Sequence, residues 1–165
     1  MKIVLVTLAA LAALAGIMVV VMVVLGIHSR SLSPPERSGG RLPPCPASPN
    51  CVSSEYPDDA AHYIAPLQMP ENLEPAMVMT RLEAGVRELG GRVQVASQDY
   101  LAATFSSRLF GFVDDLQLRP DPGRRVIHVR SAARVGHGDL GVNRRRVERL
   151  RHAWRQAPTQ RVEAD

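Results

Sequence analysis

The stretch "VDDLQLRPDPGRRVIHVRSAA", residues 113–133, decides the fold of this chain. Its centre, "RPDPGR" (Arg119–Arg124), has the proline, aspartate and glycine content of a turn. Apolar and polar residues alternate on both sides of that turn, which is the pattern of half-buried strands. The stretch therefore predicts an antiparallel hairpin with strands at about 112–119 and 124–133.

The two faces of this hairpin differ in polarity, because side chains alternate between the faces of a strand. If the turn closes at Arg119 and Arg124, Asp115 lies opposite His128, with Arg130 diagonal to it. Opposite charges placed in this way stabilise neighbouring strands. We expect an apolar face that packs under helices and a polar face that carries Asp115, His128 and Arg130.

The adjacent carboxylates Asp114 and Asp115 suggest a general acid and base pair or a cation site. Neighbouring residues of a strand point to opposite faces, so the two cannot easily converge on one substrate atom. We expect Asp115 to pair with His128 or Arg130, and Asp114 to accept hydrogen bonds from backbone donors at the end of a strand.

A helix is predicted before the hairpin, because apolar residues recur at helical spacing between Val78 and Leu89. Asn72 or Glu74 can cap its first turn, and Gly90-Gly91 can end it.

Two further strands are predicted at about 92–97 and 100–107, and a final helix at about 143–155. The order of helix, four strands and helix predicts an α+β fold. It would be a two-layer domain with about four antiparallel strands and two helices on one face.

An uncharged apolar run covers residues 3–27. As a helix, 25 residues extend about 37 Å at about 1.5 Å per residue, and a hydrocarbon core is about 30 Å thick. The run is apolar on every side and far longer than the apolar part of a cleaved signal peptide. We predict an uncleaved single-pass signal anchor at residues 1–27, which contacts the membrane through residues 3–27.

The rest of the chain divides by composition. Residues 28–43 are rich in serine, proline, arginine and glycine, and are predicted to be a flexible linker. A soluble domain is predicted at 44–156, followed by a frayed tail at 157–165.

The positive charge is concentrated in "NRRRVERLR", residues 143–151, on the last helix. Aromatic residues make up only 4% of the chain and are not interleaved with the basic ones. We therefore expect no nucleic-acid partner, and interpret the arginines as a solvated face or a contact with anionic lipid.

Cys45 and Cys51 are the only cysteines of the chain. Four interpretations are open: a disulfide, a metal site with His62 as a further ligand, a nucleophilic Cys51 beside His62, and two free thiols. We favour the disulfide, because the prolines between the cysteines suit a tight loop. A disulfide indicates an oxidising compartment.

The side of the membrane is indicated in two opposing ways. Arg30, Arg37 and Arg41 follow the apolar run and only Lys2 precedes it, which places the soluble domain in the cytoplasm by the distribution of basic residues. The cysteine pair and the short basic start favour export. We predict a domain on the periplasmic or another non-cytoplasmic side.

Four motifs resemble one known family. They are "SPNCVSS" (48–54), "HYIAPL" (62–67), "SRLFGFVDD" (107–115) and "IHVRSAARVGHGDLGVNRRRVERLR" (127–151). In this order they resemble the bacterial and plastid proteins grouped as the domain of unknown function 1499 (DUF1499), from about Pro44 to Trp154. The resemblance implies little about activity, because the family is named for having no assigned function. The predicted envelope location depends on the signal anchor and the cysteine pair.

The chain departs from what this family often has in two places: Ala133 stands in place of a serine, and His137-Gly138 in place of tyrosine and serine. These differences argue against a catalytic serine or tyrosine at those positions.

A binding site is predicted on the polar sheet face and in the loop at 134–144. The candidate contact residues are Asp115, His128, Arg130, Arg134, Asp139 and Arg144. Free backbone N–H groups near Asn143, at the start of the last helix, favour an anion there. The simpler interpretation is that Asp139 or Asn143 caps this helix and that an arginine pairs with Asp139.

The function predicted from these features is a non-enzymatic, membrane-anchored module that binds a protein, a lipid or a small anion. The alternative is a hydrolase or transferase that uses His128 or His62 as a base with an acidic partner, which requires these groups to share one cleft. We expect no cofactor and no metal. The sequence leaves the oligomeric state open.

Overall fold

The computed structural model of the chain describes residues 1–37, 40–70, 73 and 75–156. Its helices are α1 (Lys2–Ser31), α2 (Pro75–Glu88) and α3 (Val142–Gln156). Its strands are β1 (Cys51–Ser53), β2 (Leu67–Gln68), β3 (Arg92–Ala96), β4 (Leu101–Ser106), β5 (Val113–Asp121) and β6 (Val126–Ala133). The predicted α+β class is confirmed. The predicted cap at Asn72 or Glu74 and the tail at 157–165 lie outside the described residues.

All strands belong to one antiparallel sheet with the order β1-β6-β5-β4-β3. The short strand β2 also pairs with β6, so β1 and β2 occupy different parts of the same edge. These two strands raise the count from the predicted four to six among the described residues. They contain three and two residues, which is too short for an alternating pattern to show in the sequence.

The hydrophobic core lies between one face of the sheet and helices α2 and α3, as predicted. Leu101, Leu118 and Val129 stand side by side in register across β4, β5 and β6, and all three are fully buried. Burying one such side chain stabilises the fold by about 1.5–3 kcal/mol. The helices complete this core with Val78, Met79, Leu82, Val86, Val147, Leu150 and Trp154.

The turn of the central hairpin lies later than predicted. Asp121 pairs with Val126, so the turn contains residues 122–125. The carboxylate of Asp121 accepts a hydrogen bond from the backbone N–H of Arg124 at 3.1 Å, which stabilises this turn. Pro120 fits within β5 because β4 pairs only as far as Leu118, leaving β5 without a neighbour on that side.

The later turn changes every pair across the hairpin. Asp115 lies opposite Ala132, and His128 lies opposite Arg119. The predicted pairing of Asp115 with His128 is therefore wrong. The predicted division of faces is unaffected, because the register moves by an even number of residues.

Helix α1 has a mean hydropathy of 3.0 over its most apolar part and is long and apolar enough to cross a membrane. It continues four residues beyond the predicted end at Ile27, to Ser31.

The last turns of α1 are docked on the domain. The backbone N–H of Val113 donates to Ser29 Oγ at 3.1 Å, and Arg30 Nε donates to the carbonyl of Gly111 at 3.2 Å. A β-carbon at Gly26 would collide with the carbonyl oxygen of Phe110, so only glycine permits this approach. The helix therefore ends against the domain in a fixed place.

The chain after α1 covers the polar face of the sheet. We call residues 32–37 and 40–44 the juxtamembrane segment. Gln117 Nε2 donates to the carbonyl of Pro35 at 3.0 Å, and Tyr56 donates to that of Leu42 at 3.0 Å. Leu42 is fully buried. The composition of this stretch gives no sign of these contacts. For that reason the sequence predicts a flexible linker here.

Cys45 and Cys51 form a disulfide, which confirms the prediction. The bond closes the loop between the juxtamembrane segment and β1. On a chain-entropy estimate, a loop of this size stabilises the fold by about 2 kcal/mol.

Candidate functional site

The polar face of β5 and β6 is closed to solvent. Asp115, Arg130 and His128 are only 3%, 4% and 6% exposed. The juxtamembrane segment lies opposite Asp115 and Arg130, and Glu55 lies 3.9 Å from His128. The charged groups on this face of the sheet must therefore be satisfied by the protein or by a ligand, because burying an unpaired charge is costly.

Asp115 forms its ion pair with Arg134, and the predicted partners His128 and Arg130 are wrong. Arg134 Nη2 donates to Asp115 Oδ1 at 2.7 Å, and Arg134 Nε donates to Oδ2 at 2.9 Å. Arg134 Nη1 also donates to the carbonyls of Ser29 and Leu32, at the end of α1. This arginine links the sheet to the carbonyl end of the helix, where a positive charge is favourable.

Arg130 is a buried cation with little compensation. Its Nη1 donates to Gln117 Oε1 at 3.2 Å, while its Nε has no hydrogen-bond partner. Within the described residues, no carboxylate lies within the 4.0 Å of an ion pair with it. Burial lowers the pKa of Arg130, and the nearby Asp115 carboxylate opposes that shift. The guanidinium nevertheless stays charged at physiological pH.

A cavity of about 230 Å³ opens beside Arg130. Sheet residues form one side of it and the juxtamembrane segment forms the other. Its lining comprises Leu32, Ser33, Pro35, Asp115, Arg130, Ala132, Ala133 and Arg134. Two arginines and one aspartate leave this lining one net positive charge. The planar guanidinium groups suit a phosphate or carboxylate, so the arrangement can hold a small anion. We call it the Arg130 cavity.

Glu55, which the sequence analysis did not single out, is the centre of a second cluster on the polar face. Arg119 Nε donates to its Oε1 at 2.7 Å, and Arg41 Nε donates to its Oε2 at 3.1 Å. Burial alone would raise the pKa of Glu55, but hydrogen bonds from Arg119, the Leu42 backbone and Arg41 outweigh burial and lower the pKa. Glu55 thereby fixes the juxtamembrane segment to the sheet.

His128 belongs to the Glu55 cluster and not to the Arg130 cavity. Ser54 Oγ accepts the backbone N–H of Val129 at 2.8 Å and lies 3.2 Å from His128 Nδ1. The hydroxyl proton is therefore free to point to Nδ1. The other ring nitrogen, Nε2, is buried without a hydrogen-bond partner, 3.9 Å from Asp121 Oδ2.

His128 should make folding pH-dependent. Burial lowers the pKa of His128 and Arg119 lowers it further, while Glu55 and Asp121 oppose this. Below about pH 6.5 the unfolded chain binds a proton that the folded chain rejects, so stability falls as the pH falls. The expected slope from this histidine is at most about 1.4 kcal/mol per pH unit.

Urea unfolding between about pH 5 and 7 measures this slope, and any contribution from Asp114, whose pKa burial raises, is common to all the variants. The His128→Gln variant should flatten the slope, while His152→Gln, at an exposed position of α3, should keep it. An unchanged slope in a folded His128→Gln variant would contradict the assignment to His128.

The start of α3 is occupied by the protein's own carboxylate. Asp139 accepts hydrogen bonds from the backbone N–H groups of Gly141 at 2.9 Å and Asn143 at 2.7 Å. Burial would raise the pKa of Asp139, but these hydrogen bonds outweigh it and lower the pKa. Two interpretations of this loop were open, a bound anion and a helix cap. The geometry matches the cap, with Asp139 as the capping residue.

Asp114 and Asp115 point to opposite faces, as predicted. Asp114 pairs with Arg146 at 2.6 Å and not with the expected backbone donors. Burial raises the pKa of Asp114, and Arg146 opposes this shift.

The predicted contact residues thus separate into several places. Asp115, Arg130 and Arg134 line one cavity. His128 lies on the same face, in the Glu55 cluster, and Asp139 caps α3. Arg144 donates to the carbonyl of Tyr63 at 3.1 Å and does not line the cavity.

The three groups of the alternative enzymatic site do not meet. His62 pairs with Asp59 at 2.8 Å. Ala132, opposite Asp115, lies four residues from His128 along β6, about 13 Å at the usual rise of a strand.

Residues 41–154, more than two thirds of the 165, match the family described as "Protein of unknown function (DUF1499)". No curated protein matches the chain. The chain belongs to the DUF1499 family, which confirms the resemblance found in its motifs.

Proposed function

We propose that this member of the DUF1499 family is a membrane-anchored binding module that holds a phosphate-type anion in the Arg130 cavity. Helix α1 crosses the membrane, and the domain lies on the non-cytoplasmic side, which in a bacterium is the periplasmic side of the envelope. The Cys45–Cys51 disulfide supports that side, because disulfides persist in oxidising compartments.

The observation that carries the proposal is the incomplete compensation of Arg130. A buried guanidinium costs several kcal/mol unless an opposite charge and hydrogen bonds offset it. Arg130 has one neutral acceptor, Gln117, and an unpartnered Nε. An anion in the adjoining cavity would supply both the missing charge and the missing acceptor.

The position of the cavity supports a ligand at the membrane surface. Leu32, Ser33 and Pro35 form part of its lining, and they directly follow the end of α1 at Ser31. A phosphate group bound there could belong to an anionic lipid or to a soluble molecule. Both sources share the same oxyanion chemistry, and the experiment below separates them.

Replacing Arg130 with glutamine should weaken anion binding. A hydrogen bond to a charged group contributes about 1.5–3 kcal/mol, so the loss in affinity should be about tenfold or more. Full-length protein in nanodiscs of zwitterionic phosphatidylcholine is titrated with inorganic phosphate, and thermal stabilisation is measured. The matched control is Arg87→Gln, at an exposed arginine of α2 paired with Glu83.

A second set of nanodiscs contains phosphatidylglycerol and no phosphate in the buffer. Stabilisation that needs Arg130 in this set identifies a lipid headgroup, and stabilisation by inorganic phosphate in the first set identifies a soluble anion. Wild-type protein that neither phosphate nor phosphatidylglycerol stabilises would contradict the proposal, as would equal losses in Arg130→Gln and Arg87→Gln.

The alternative hydrolase or transferase is supported by the 3.2 Å contact between Ser54 Oγ and His128 Nδ1. This pair is poorly placed for catalysis. Ser54 and His128 are both buried, and Ser54 Oγ already accepts the N–H of Val129. A substrate would reach the hydroxyl only if the covering groups moved, so the binding module is favoured.

A further inference from the structure

We propose that the loop at residues 107–112 is a second membrane contact, with Leu109 at its tip inserted into the leaflet where α1 ends. We call it the interfacial loop. The inference rests on the membrane-spanning role proposed for α1 and is independent of the anion site.

The first argument is the depth at which the loop meets α1. Its backbone packs against Gly26, and Arg30 Nη2 donates to the carbonyl of Phe110 at 3.3 Å. The helix residues beside that contact, Val24 and Ile27, have exposed apolar side chains. If these side chains lie at the edge of the hydrocarbon core, a loop that touches the same helical turn lies at the same depth.

The second argument is the composition of the loop. Leu109 is 81% exposed, although it is a large apolar residue at the tip of a loop. Phe110 and Phe112 are half-buried behind it and form an edge-to-face pair with ring centroids 6.1 Å apart. The exposed Arg108 can reach the lipid headgroups. An apolar tip, aromatic rings and an adjacent basic residue are the features of a segment at the membrane interface.

The consequence of this contact is a fixed orientation of the domain. A single helix permits the domain to tilt relative to the bilayer, whereas a second point of insertion limits that tilt. The interfacial loop leads directly into β5 at Val113, two residues before Asp115 in the Arg130 cavity. The loop would therefore hold the mouth of the cavity close to the lipid headgroups.

Tryptophan quenching by brominated lipid tests the insertion. Leu109→Trp and the control Val95→Trp are reconstituted as full-length chains in phosphatidylcholine vesicles without added anion. Val95 is half-exposed on β3 and pairs with Ala102 of β4. Ala102 lies five residues before the start of the interfacial loop, which at the usual rise of a strand is a distance of about 17 Å. The native Trp154 is buried in the core and contributes the same background to both variants.

We expect lipids brominated on the acyl chains to quench the Leu109→Trp variant at least about twofold more than the control, and aqueous iodide to quench it less. Equal quenching of both variants by iodide would overturn the inference. Protection from iodide without quenching by brominated lipid would indicate contact with another copy of this chain and would also overturn the inference. Since no anion is present, a failed phosphate titration leaves this result intact.

Discussion

The Arg134→Ala variant is expected to unfold with a free energy about 3–5 kcal/mol below that of the wild type. Asp115 is only 3% exposed, and its carboxylate would be left buried without its bidentate partner. The carbonyls of Ser29 and Leu32 would also lose a donor, which weakens the docking of α1. Urea unfolding of the full-length protein in detergent, followed by the fluorescence of its single tryptophan, Trp154, measures the loss.

The control for this variant is Arg87→Ala. Arg87 pairs with Glu83 at 3.3 Å on the exposed side of α2, and such surface pairs contribute about 0–1 kcal/mol. The double variant Asp115→Ala/Arg134→Ala should recover part of the loss, because it also removes the Asp115 carboxylate that the single variant leaves unpaired. A loss for Arg134→Ala no larger than that of Arg87→Ala would mean that the pair is not buried as described.

Replacing Gly26 with leucine is expected to separate α1 from the domain. A leucine preserves the apolar character of the helix, but its β-carbon would collide with the carbonyl oxygen of Phe110. The hydrogen bond from the Val113 N–H to Ser29 Oγ would then be lost. Deuterium exchange of a peptide covering residues 107–116 should become about tenfold faster, because local opening there would cost about 1.4 kcal/mol less.

Gly16→Leu is the matched control in the same helix. No atom lies within 4 Å of a β-carbon placed at Gly16, so the same substitution there meets no steric obstacle. It should leave exchange of the 107–116 peptide at the wild-type rate. Equal exchange rates in the two variants would show that α1 is not docked at Gly26.

Several elements could be predicted from the sequence because their signals are local. The uncharged run at 3–27 predicts a helix by length and composition alone, and α1 contains it. The alternation within 113–133 separates the apolar face from the polar one, since the period of a strand is independent of its partners. The spacing of Cys45 and Cys51 permits the disulfide that forms.

The register of the hairpin could not be predicted from these signals. In the sequence, Pro120 indicates the end of a strand, because proline lacks a backbone N–H. The strand passes through it because β4 stops pairing at Leu118, which depends on the tertiary structure. The wrong prediction that Asp115 lies opposite His128 followed from placing the turn too early.

The candidate site was predicted in part, for a related reason. Asp115, Arg130 and Arg134 were expected on one surface because they follow the period of the strands, and they do line one cavity. Their burial was not expected, since it results from contacts with the juxtamembrane segment. Glu55 was missed because a single acidic residue after a three-residue strand has no local pattern.

The most direct test of the account is heteronuclear NMR of the arginine side chains in the full-length protein in detergent. The Nε–H of Arg130 has no acceptor, whereas that of Arg119 already donates to Glu55 at 2.7 Å. The Arg130 Nε–H signal is identified as the one that is missing from the spectrum of the Arg130→Gln variant. We expect excess inorganic phosphate to shift the Arg130 Nε–H signal and to leave the Arg119 Nε–H signal in place. An Arg130 signal that neither inorganic phosphate nor phosphatidylglycerol shifts, or that shifts only together with those of the exposed arginines, would contradict the proposed site.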